Sequence, residues 1–117
     1  MATILVTDDE KSIRSLYEHE LSAEGYRVLL AKNGDEALKE VRSEHIDLVV
    51  LDIRMEGKDG LETLQELLSE KRHIKVILNT AYGEFKDDFS SWAADAYVVK
   101  SSNLEELKKS IRALLEK

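Results

Sequence analysis

The sequence predicts an α/β fold in which a doubly wound, five-stranded parallel sheet carries helices on both faces. Five short apolar runs rich in Val, Ile and Leu alternate with five amphipathic stretches. The apolar runs do not alternate with polar residues, which is typical of strands covered on both faces. Strict strand-helix alternation implies right-handed crossovers in a (βα)5 arrangement, with the ligand site at the carboxyl ends of the strands.

The five apolar runs have the length and composition of buried strands. They are Thr3–Thr7, Arg27–Ala31, Asp47–Leu51, Lys75–Asn79 and Ala96–Val99. Each successive pair is separated by enough residues for one crossover helix, as parallel strands require.

The stretches between the strands carry apolar residues at three- and four-residue spacing, which places these residues on one helical face. The clearest stripes are Ile13, Leu16, Tyr17 and Leu21; Ala37, Leu38 and Val41; Leu61, Leu64, Leu67 and Leu68; and Leu104, Leu107, Ile111, Leu114 and Leu115. The segment Asn33 to Glu36 predicts the start of the second helix, and Asn103 with Glu106 predicts a capping pair for the fifth. The stretch between Ala81 and Ala94 is less regular and predicts a short fourth helix.

Length and composition limit the classes of function. With 117 residues and 43% apolar content the chain fits a single domain spanning 1–117. The absence of cysteine excludes disulfides, a thiolate nucleophile and a zinc-thiolate site. A formal charge of -7 disfavours direct binding to nucleic acid by this chain. The first residues reach charge too soon for a signal peptide or membrane span, so we expect a cytoplasmic protein without a membrane partner.

Polar side chains follow four of the five predicted strands. Asp8 and Asp9 follow the first strand, Asp52 ends the third, Thr80 follows the fourth and Lys100 follows the fifth. Three carboxylates at one sheet edge repel one another, and a hard divalent cation relieves that repulsion. Ligands that are all oxygen favour Mg²⁺, with Mn²⁺ as an alternative.

These residue types suit one reaction. A carboxylate that attacks phosphorus forms an acyl phosphate, and such transfers depend on positioning and on neutralising the charge of the phosphoryl oxygens. Asp52 fits the nucleophile, while the Thr80 hydroxyl and the Lys100 ammonium fit the neutralising groups. Taken alone, however, Asp8 and Asp9 fit equally well as caps of the first helix.

Four segments, in this order, resemble the signature of response regulator receiver domains. They are Thr-Asp8-Asp9-Glu10, Leu-Asp52-Ile-Arg-Met-Glu-Gly-Lys-Asp-Gly60, Asn-Thr80-Ala81-Tyr82-Gly83 and Tyr97-Val-Val-Lys100. The resemblance covers essentially the whole chain. It implies the flavodoxin-like receiver fold with strand order 2-1-3-4-5.

The resemblance also implies the role of each site residue. Asp52 is the phosphoacceptor, supplied by a sensor histidine kinase or a histidine phosphotransfer protein. Asp8, Asp9, Asp52 and the main-chain carbonyl of Arg54 hold the metal, and Lys100 pairs with the phosphoryl group. The chain is then not a turnover enzyme on an external substrate, although it assists its own phosphorylation and dephosphorylation.

By the same resemblance Thr80 and Tyr97 form a switch. The Thr80 hydroxyl moves onto the phosphoryl oxygen, and the Tyr97 ring turns inward into the vacated space. This changes the face formed by the fourth helix, fifth strand and fifth helix, where an effector docks. Arg54 and Tyr82 flank the site and are expected to tune the phosphoryl lifetime.

The sequence departs from the receiver pattern at two prolines. Ser101 follows the active-site lysine, and Glu56 replaces the proline usual in the loop after the phosphoacceptor. These departures favour an alternative function, a degenerate receiver that binds partners without being phosphorylated. The stretch from Thr80 to Lys100 is also shorter than is usual for the family, which affects the expected effector face.

Two other functional classes fit poorly. A haloacid-dehalogenase-like phosphatase needs a second acid two residues after its aspartyl nucleophile, where this chain has Arg54. A flavodoxin-like cofactor carrier needs a phosphate-binding loop of Ser, Thr and Gly after the first strand. Here that loop contains Asp8 and Asp9, which repel phosphate.

Overall fold

The computed structural model of the chain describes residues 1–53, 59–71, 73–81, 93–101 and 103–116. The strands are β1 (Thr3–Thr7), β2 (Arg27–Ala31), β3 (Leu48–Leu51), β4 (Lys75–Thr80) and β5 (Ala96–Val99). The helices are α1 (Lys11–Ala23), α2 (Gly34–Ser43), α3 (Gly60–Glu70) and α4 (Glu105–Leu115). The predicted fourth helix lies outside the described residues, so α4 is the helix predicted as the fifth.

All five strands pair in parallel in the order β2-β1-β3-β4-β5. This confirms the predicted doubly wound sheet and its strand order. The third strand begins at Leu48, one residue later than predicted, although the Asp47 N–H still donates to the Thr3 carbonyl at 2.9 Å. The fourth strand continues through Thr80, so this residue ends the strand instead of following it.

Alternating side chains of the strands form two core layers, one on each face of the sheet. Leu5, Val49 and Leu78 face α2 and α3 in one layer. Ile4, Val50 and Ile77 face α1 and α4 in the other. Burial of one such side chain stabilises the fold by roughly 1.5–3 kcal/mol. The two layers therefore hold the strand ends in fixed relative positions at the carboxyl edge.

The helix starts follow the predictions at α2 and depart from them at α4. Asn33 caps α2, where its side chain accepts the Glu36 N–H at 2.8 Å. Before α4, the side chain of Asn103 accepts the Glu105 N–H at 2.9 Å, although Leu104 is the N-cap residue. A capping pair with Glu106 would need Asn103 to be the N-cap residue. Asn103 instead precedes the N-cap and still accepts a hydrogen bond from the first turn of α4.

The apolar stripe of α1 is narrower than predicted. Tyr17 and Leu21 are buried against the sheet, whereas Leu16 is 42% exposed.

Among the described helices, none is both long enough and apolar enough to span a bilayer.

Candidate functional site

Three carboxylates meet at the carboxyl edge of the sheet. Asp8, Asp9 and Asp52 each place a carboxylate oxygen within 4.8 Å of the others. The strand register brings them together, since the Asp52 N–H donates to the Thr7 carbonyl at 3.0 Å and extends the β1–β3 ladder. Asp8 and Asp52 are buried, while Asp9 is exposed. The cluster is thus closed on the protein side and open to solvent through Asp9.

The loop between β1 and α1 is held by hydrogen bonds around Asp8. Its carboxylate accepts the Glu10 N–H at 2.9 Å, and the Arg14 guanidinium donates to its carbonyl at 2.7 Å. Side chains on a helix lean towards its N-terminus, which carries Arg14 back from α1 to this loop. Arg14 was not among the predicted site residues, and its place in the first helical turn after the acidic pair was the available signal.

Lys100 is the cation of the site. Its ammonium lies 2.7 Å from an oxygen of Asp8 and 3.2 Å from an oxygen of Asp52. Burial alone lowers the pKa of this ammonium, but the hydrogen bonds and charges of Asp8 and Asp52 outweigh burial and raise the pKa above its ordinary value. Lys100 therefore remains charged at neutral pH.

The peptide bond that follows Lys100 is trans. None of the peptide bonds between described residues is cis, including the one that joins Lys100 to Ser101. The lysine nevertheless reaches both carboxylates. With Ser101 in place of the usual proline, Lys100 thus still contacts Asp8 and Asp52, and its pairing with a phosphoryl group stays a prediction.

Thr80 and Tyr97 lie on neighbouring strands and on one face of the sheet. Thr80 is fully buried at the end of β4, and Tyr97 packs half-buried against the core layer that faces α2 and α3. The Lys100 N–H donates to the Thr80 carbonyl at 2.7 Å, which ties the ends of β4 and β5 together. Thr80 therefore lies at the same edge of the sheet as Lys100, and its switch role with Tyr97 stays a prediction.

The start of α3 packs directly on the backbone at the end of β3, next to Asp52. The Gly60 N–H donates to the Ile53 carbonyl at 2.7 Å. A Cβ at Gly60 would lie 2.1 Å from the Asp52 carbonyl oxygen, far inside van der Waals contact. Gly60 stands out in the sequence only as part of a motif, and this close approach leaves no room for a side chain unless the backbone moves.

Three residues named in the sequence analysis of the site lie outside the described residues. They are Arg54, Glu56 and Tyr82. Their expected contributions, a carbonyl ligand, a loop charge and control of the phosphoryl lifetime, stay predictions.

Among the described residues, the Lys100 ammonium is the ion-pair partner of two of the three carboxylates, Asp8 and Asp52. Three carboxylates against one ammonium leave an oxygen-rich, anionic cluster that fits a hard divalent cation. Because Asp52 belongs to this cluster and contacts Lys100, positive charge would lie beside any anionic group that its carboxylate attacks.

Comparison with known proteins identifies the family. The family model for the response regulator receiver domain matches residues 4–112. The chain belongs to this family. Among solved structures, the response regulator protein TrrA from Thermotoga maritima, crystallised in complex with Mg²⁺-BeF, is 52% identical to this receiver domain. That likeness has a TM-score of 0.95 and covers 97% of this chain and 99% of TrrA.

A second structure shows TrrA in complex with the histidine kinase ThkA. The receiver domain superposes on it with a TM-score of 0.93 and 52% identity, over 98% of this chain and 99% of that one. The sporulation initiation phosphotransferase F of Bacillus subtilis is 34% identical over 96% of this chain and 92% of its own length.

Longer relatives also match. The probable transcriptional regulator ycf27 of Pyropia yezoensis is 44% identical over 97% of this chain but only 47% of its own length. The receiver domain thus spans about half the length of several curated relatives that it matches.

Proposed function

We propose that this receiver domain accepts a phosphoryl group on the carboxylate of Asp52. The observation that carries the proposal is the position of Asp52, which is buried beside Asp8 and Asp9 and 3.2 Å from the Lys100 ammonium. A carboxylate held next to a cation and an oxygen-rich cluster suits in-line attack on phosphorus.

The donor is a phosphohistidine of a sensor histidine kinase or of a histidine phosphotransfer protein. An oxygen of Asp52 attacks phosphorus and forms the P–O bond of an acyl phosphate. The P–N bond breaks, and its electron pair leaves on the imidazole nitrogen. The Lys100 ammonium and the Thr80 hydroxyl stabilise the charge on the transferred oxygens.

The cluster would hold a divalent cation through Asp8, Asp9 and Asp52, together with the carbonyl of Arg54. We propose Mg²⁺, with Mn²⁺ as an alternative, because the described ligands are all carboxylate oxygens. When bound, the ion supplies positive charge for the phosphoryl oxygens. The Mg²⁺-BeF complex of TrrA supports this choice of ion.

The output depends on Thr80 and Tyr97. The Thr80 hydroxyl moves onto the phosphoryl group, the Tyr97 ring turns inward, and an effector reads the face formed by the predicted fourth helix, β5 and α4. Arg54 and Tyr82 set how long the acyl phosphate survives. Phosphorylation shifts this equilibrium only as far as the phosphoryl group favours the active arrangement.

We also propose the setting in which the domain works. Residues 1–117 act as one cytoplasmic receiver domain that has no turnover on an external substrate and assists its own phosphorylation and dephosphorylation. The structure of TrrA with ThkA supports a histidine kinase as the donor.

The test is intact mass measurement after incubation with acetyl phosphate or phosphoramidate, with and without Mg²⁺. We expect the wild type to gain one phosphoryl group only when Mg²⁺ is present. Asp52→Asn should gain none, while Asp35→Asn, which alters an exposed carboxylate at the start of α2, should behave as the wild type. No gain by the wild type would instead support the degenerate receiver that binds partners without phosphorylation.

A further inference from the structure

A buried polar chain crosses the core on the α1 side of the sheet. The Tyr17 hydroxyl donates to the side-chain carbonyl of Asn79 at 2.5 Å. The Asn79 amide in turn donates to the Val98 carbonyl at 3.0 Å. Tyr17 is 2% and Asn79 3% exposed, so both lie in the interior. These two hydrogen bonds form a network that joins α1, β4 and β5.

The three residues of this hydrogen-bonded network lie near residues of the proposed site along the sequence or in the same helix. Asn79 directly precedes Thr80, and Val98 is two residues before Lys100. Tyr17 belongs to the helix whose Arg14 holds the carbonyl of Asp8. The buried contacts therefore connect the metal-binding loop to the two strand ends that carry the hydroxyl and the ammonium.

Burial of these polar groups carries a desolvation cost that an apolar core would avoid. Asn79 lies on the same face of β4 as the fully buried Ile77, which belongs to the apolar core layer facing α1 and α4. A buried amide needs all its hydrogen bonds to offset its desolvation, and an apolar residue of similar shape avoids that cost. A buried polar group of this kind specifies one arrangement of the elements that it joins.

We infer that Tyr17 and Asn79 are positioning residues for phosphoryl transfer, which hold Lys100 and Thr80 in register with the carboxylates of Asp8 and Asp52. This inference rests on the proposed function. Neither residue touches the reacting atoms. Their effect passes through the Asn79–Val98 contact to the end of β5 and through the backbone of β4 to Thr80.

The electrostatics of Tyr17 agree with its place beneath the site. The pKa of the Tyr17 phenol is raised to about 12, chiefly by burial; the charge of Lys100 and the hydrogen bond to Asn79 oppose the rise, and the charges of Asp8 and Asp52 contribute to it. The hydroxyl therefore stays protonated and remains a donor to Asn79 throughout the physiological pH range.

Two readouts separate positioning from simple packing. The first is the rate constant of phosphorylation by phosphoramidate at saturating Mg²⁺. The second is the affinity of the unphosphorylated protein for Mg²⁺. Lys100 repels a cation at the carboxylates that it contacts, so a looser Lys100 should slow phosphorylation and at the same time tighten Mg²⁺ binding.

The variants are Tyr17→Phe, Asn79→Leu and the double substitution, with Tyr26→Phe as the matched control. Tyr26 packs half-buried against the same core layer, away from the site. We expect each single variant to slow phosphorylation by about fivefold, since small misplacements of reacting groups are costly. Mg²⁺ affinity should rise by about threefold. The double variant should be no slower than the slower single variant, because both break one network.

An unchanged rate and an unchanged Mg²⁺ affinity in Tyr17→Phe would overturn the inference. A fall in both quantities would also overturn it, since that result indicates general loss of structure. If the wild type accepts no phosphoryl group, the proposed function fails, and the Mg²⁺ affinities still decide whether the pair positions Lys100. If Asn79→Leu fails to fold, Tyr17→Phe alone decides.

Discussion

At Lys100 one ammonium serves two carboxylates, and this shapes the chemistry of the site. Its shorter contact is to Asp8 and its longer one to Asp52, the proposed nucleophile. The Asp52 oxygen is thus the more weakly held of the two. An incoming phosphoryl group would find Lys100 already beside it, so little reorganisation is needed.

Thr7, at the end of β1, has a buried side-chain hydroxyl. It is 1% exposed, and its hydroxyl has no partner among the described residues. Its neighbours in the sheet are Ala31 and Leu51. Desolvating a hydroxyl without a hydrogen bond destabilises the fold by about 1–3 kcal/mol.

We predict that Thr7→Val raises the free energy of unfolding by about 1 kcal/mol, because Val keeps the β-branched shape and removes the hydroxyl. Urea melts give the difference directly. Thr63→Val is the control, since the buried Thr63 hydroxyl donates to the Asp59 carbonyl at 2.9 Å and its loss should not stabilise. Destabilisation by Thr7→Val would contradict this account and indicate a partner for its hydroxyl.

The sequence could predict which residues end the strands but not how buried side chains pair across the core. Asp8, Asp52 and Lys100 are predictable because parallel strands end at one edge of the sheet. The Tyr17–Asn79 contact joins residues 62 positions apart and depends on how α1 rotates over the sheet. Tyr17 appeared in the sequence only as part of an apolar stripe.

At the scale of elements, the bounds of the strands were more predictable than the faces of the helices. Four of the five strands begin where predicted, and the third begins one residue later. On α1, the predicted stripe included Leu16, yet the sheet contacts are met by Tyr17 and Leu21. Periodicity alone does not fix which edge of a wide stripe faces the core.

The contact between α3 and β3 yields a prediction about both stability and activity. A methyl group at Gly60 would lie 2.1 Å from the Asp52 carbonyl oxygen and 2.5 Å from the Ile53 Cα. The backbone must therefore move at Asp52 and Ile53, beside the proposed nucleophile. We predict that Gly60→Ala lowers the free energy of unfolding by about 1–3 kcal/mol and slows phosphorylation of Asp52.

Urea melts and the mass-based phosphorylation assay check the two effects together. Gly25→Ala is the matched control, because Gly25 has a φ of 95° and open space around its Cβ. Its substitution should destabilise through backbone strain while leaving the phosphorylation rate unchanged. Normal phosphorylation of Gly60→Ala would show that the site tolerates the displacement of α3.

For the whole molecule, the chain is acidic, and three of its carboxylates meet at one edge of the sheet. The chain carries a formal charge of -7, and the central position of β1 and β3 in the sheet brings three of its carboxylates together. Lys100 compensates only part of that charge. Without a divalent cation, the folded state therefore contains electrostatic repulsion that unfolding relieves.

This repulsion predicts that Asp52→Asn leaves the metal-free protein no less stable than the wild type. The variant loses the 3.2 Å contact to Lys100 but keeps the 2.7 Å contact of Lys100 with Asp8, and one negative charge is gone. Urea melts with chelator measure the difference. A loss of several kcal/mol would contradict the account and make the Asp52–Lys100 pair a net stabilising contact.

Repeating the melts with Mg²⁺ extends the prediction to metal binding. A ligand that binds only the folded state stabilises it, and the stabilisation increases with the logarithm of its concentration relative to Kd. Mg²⁺ should therefore raise the free energy of unfolding of the wild type. Asp52→Asn retains Asp8 and Asp9 but loses one anionic ligand, and its gain should be smaller. An equal gain in both proteins would place the ion on Asp8 and Asp9 alone and remove Asp52 from the proposed metal ligands.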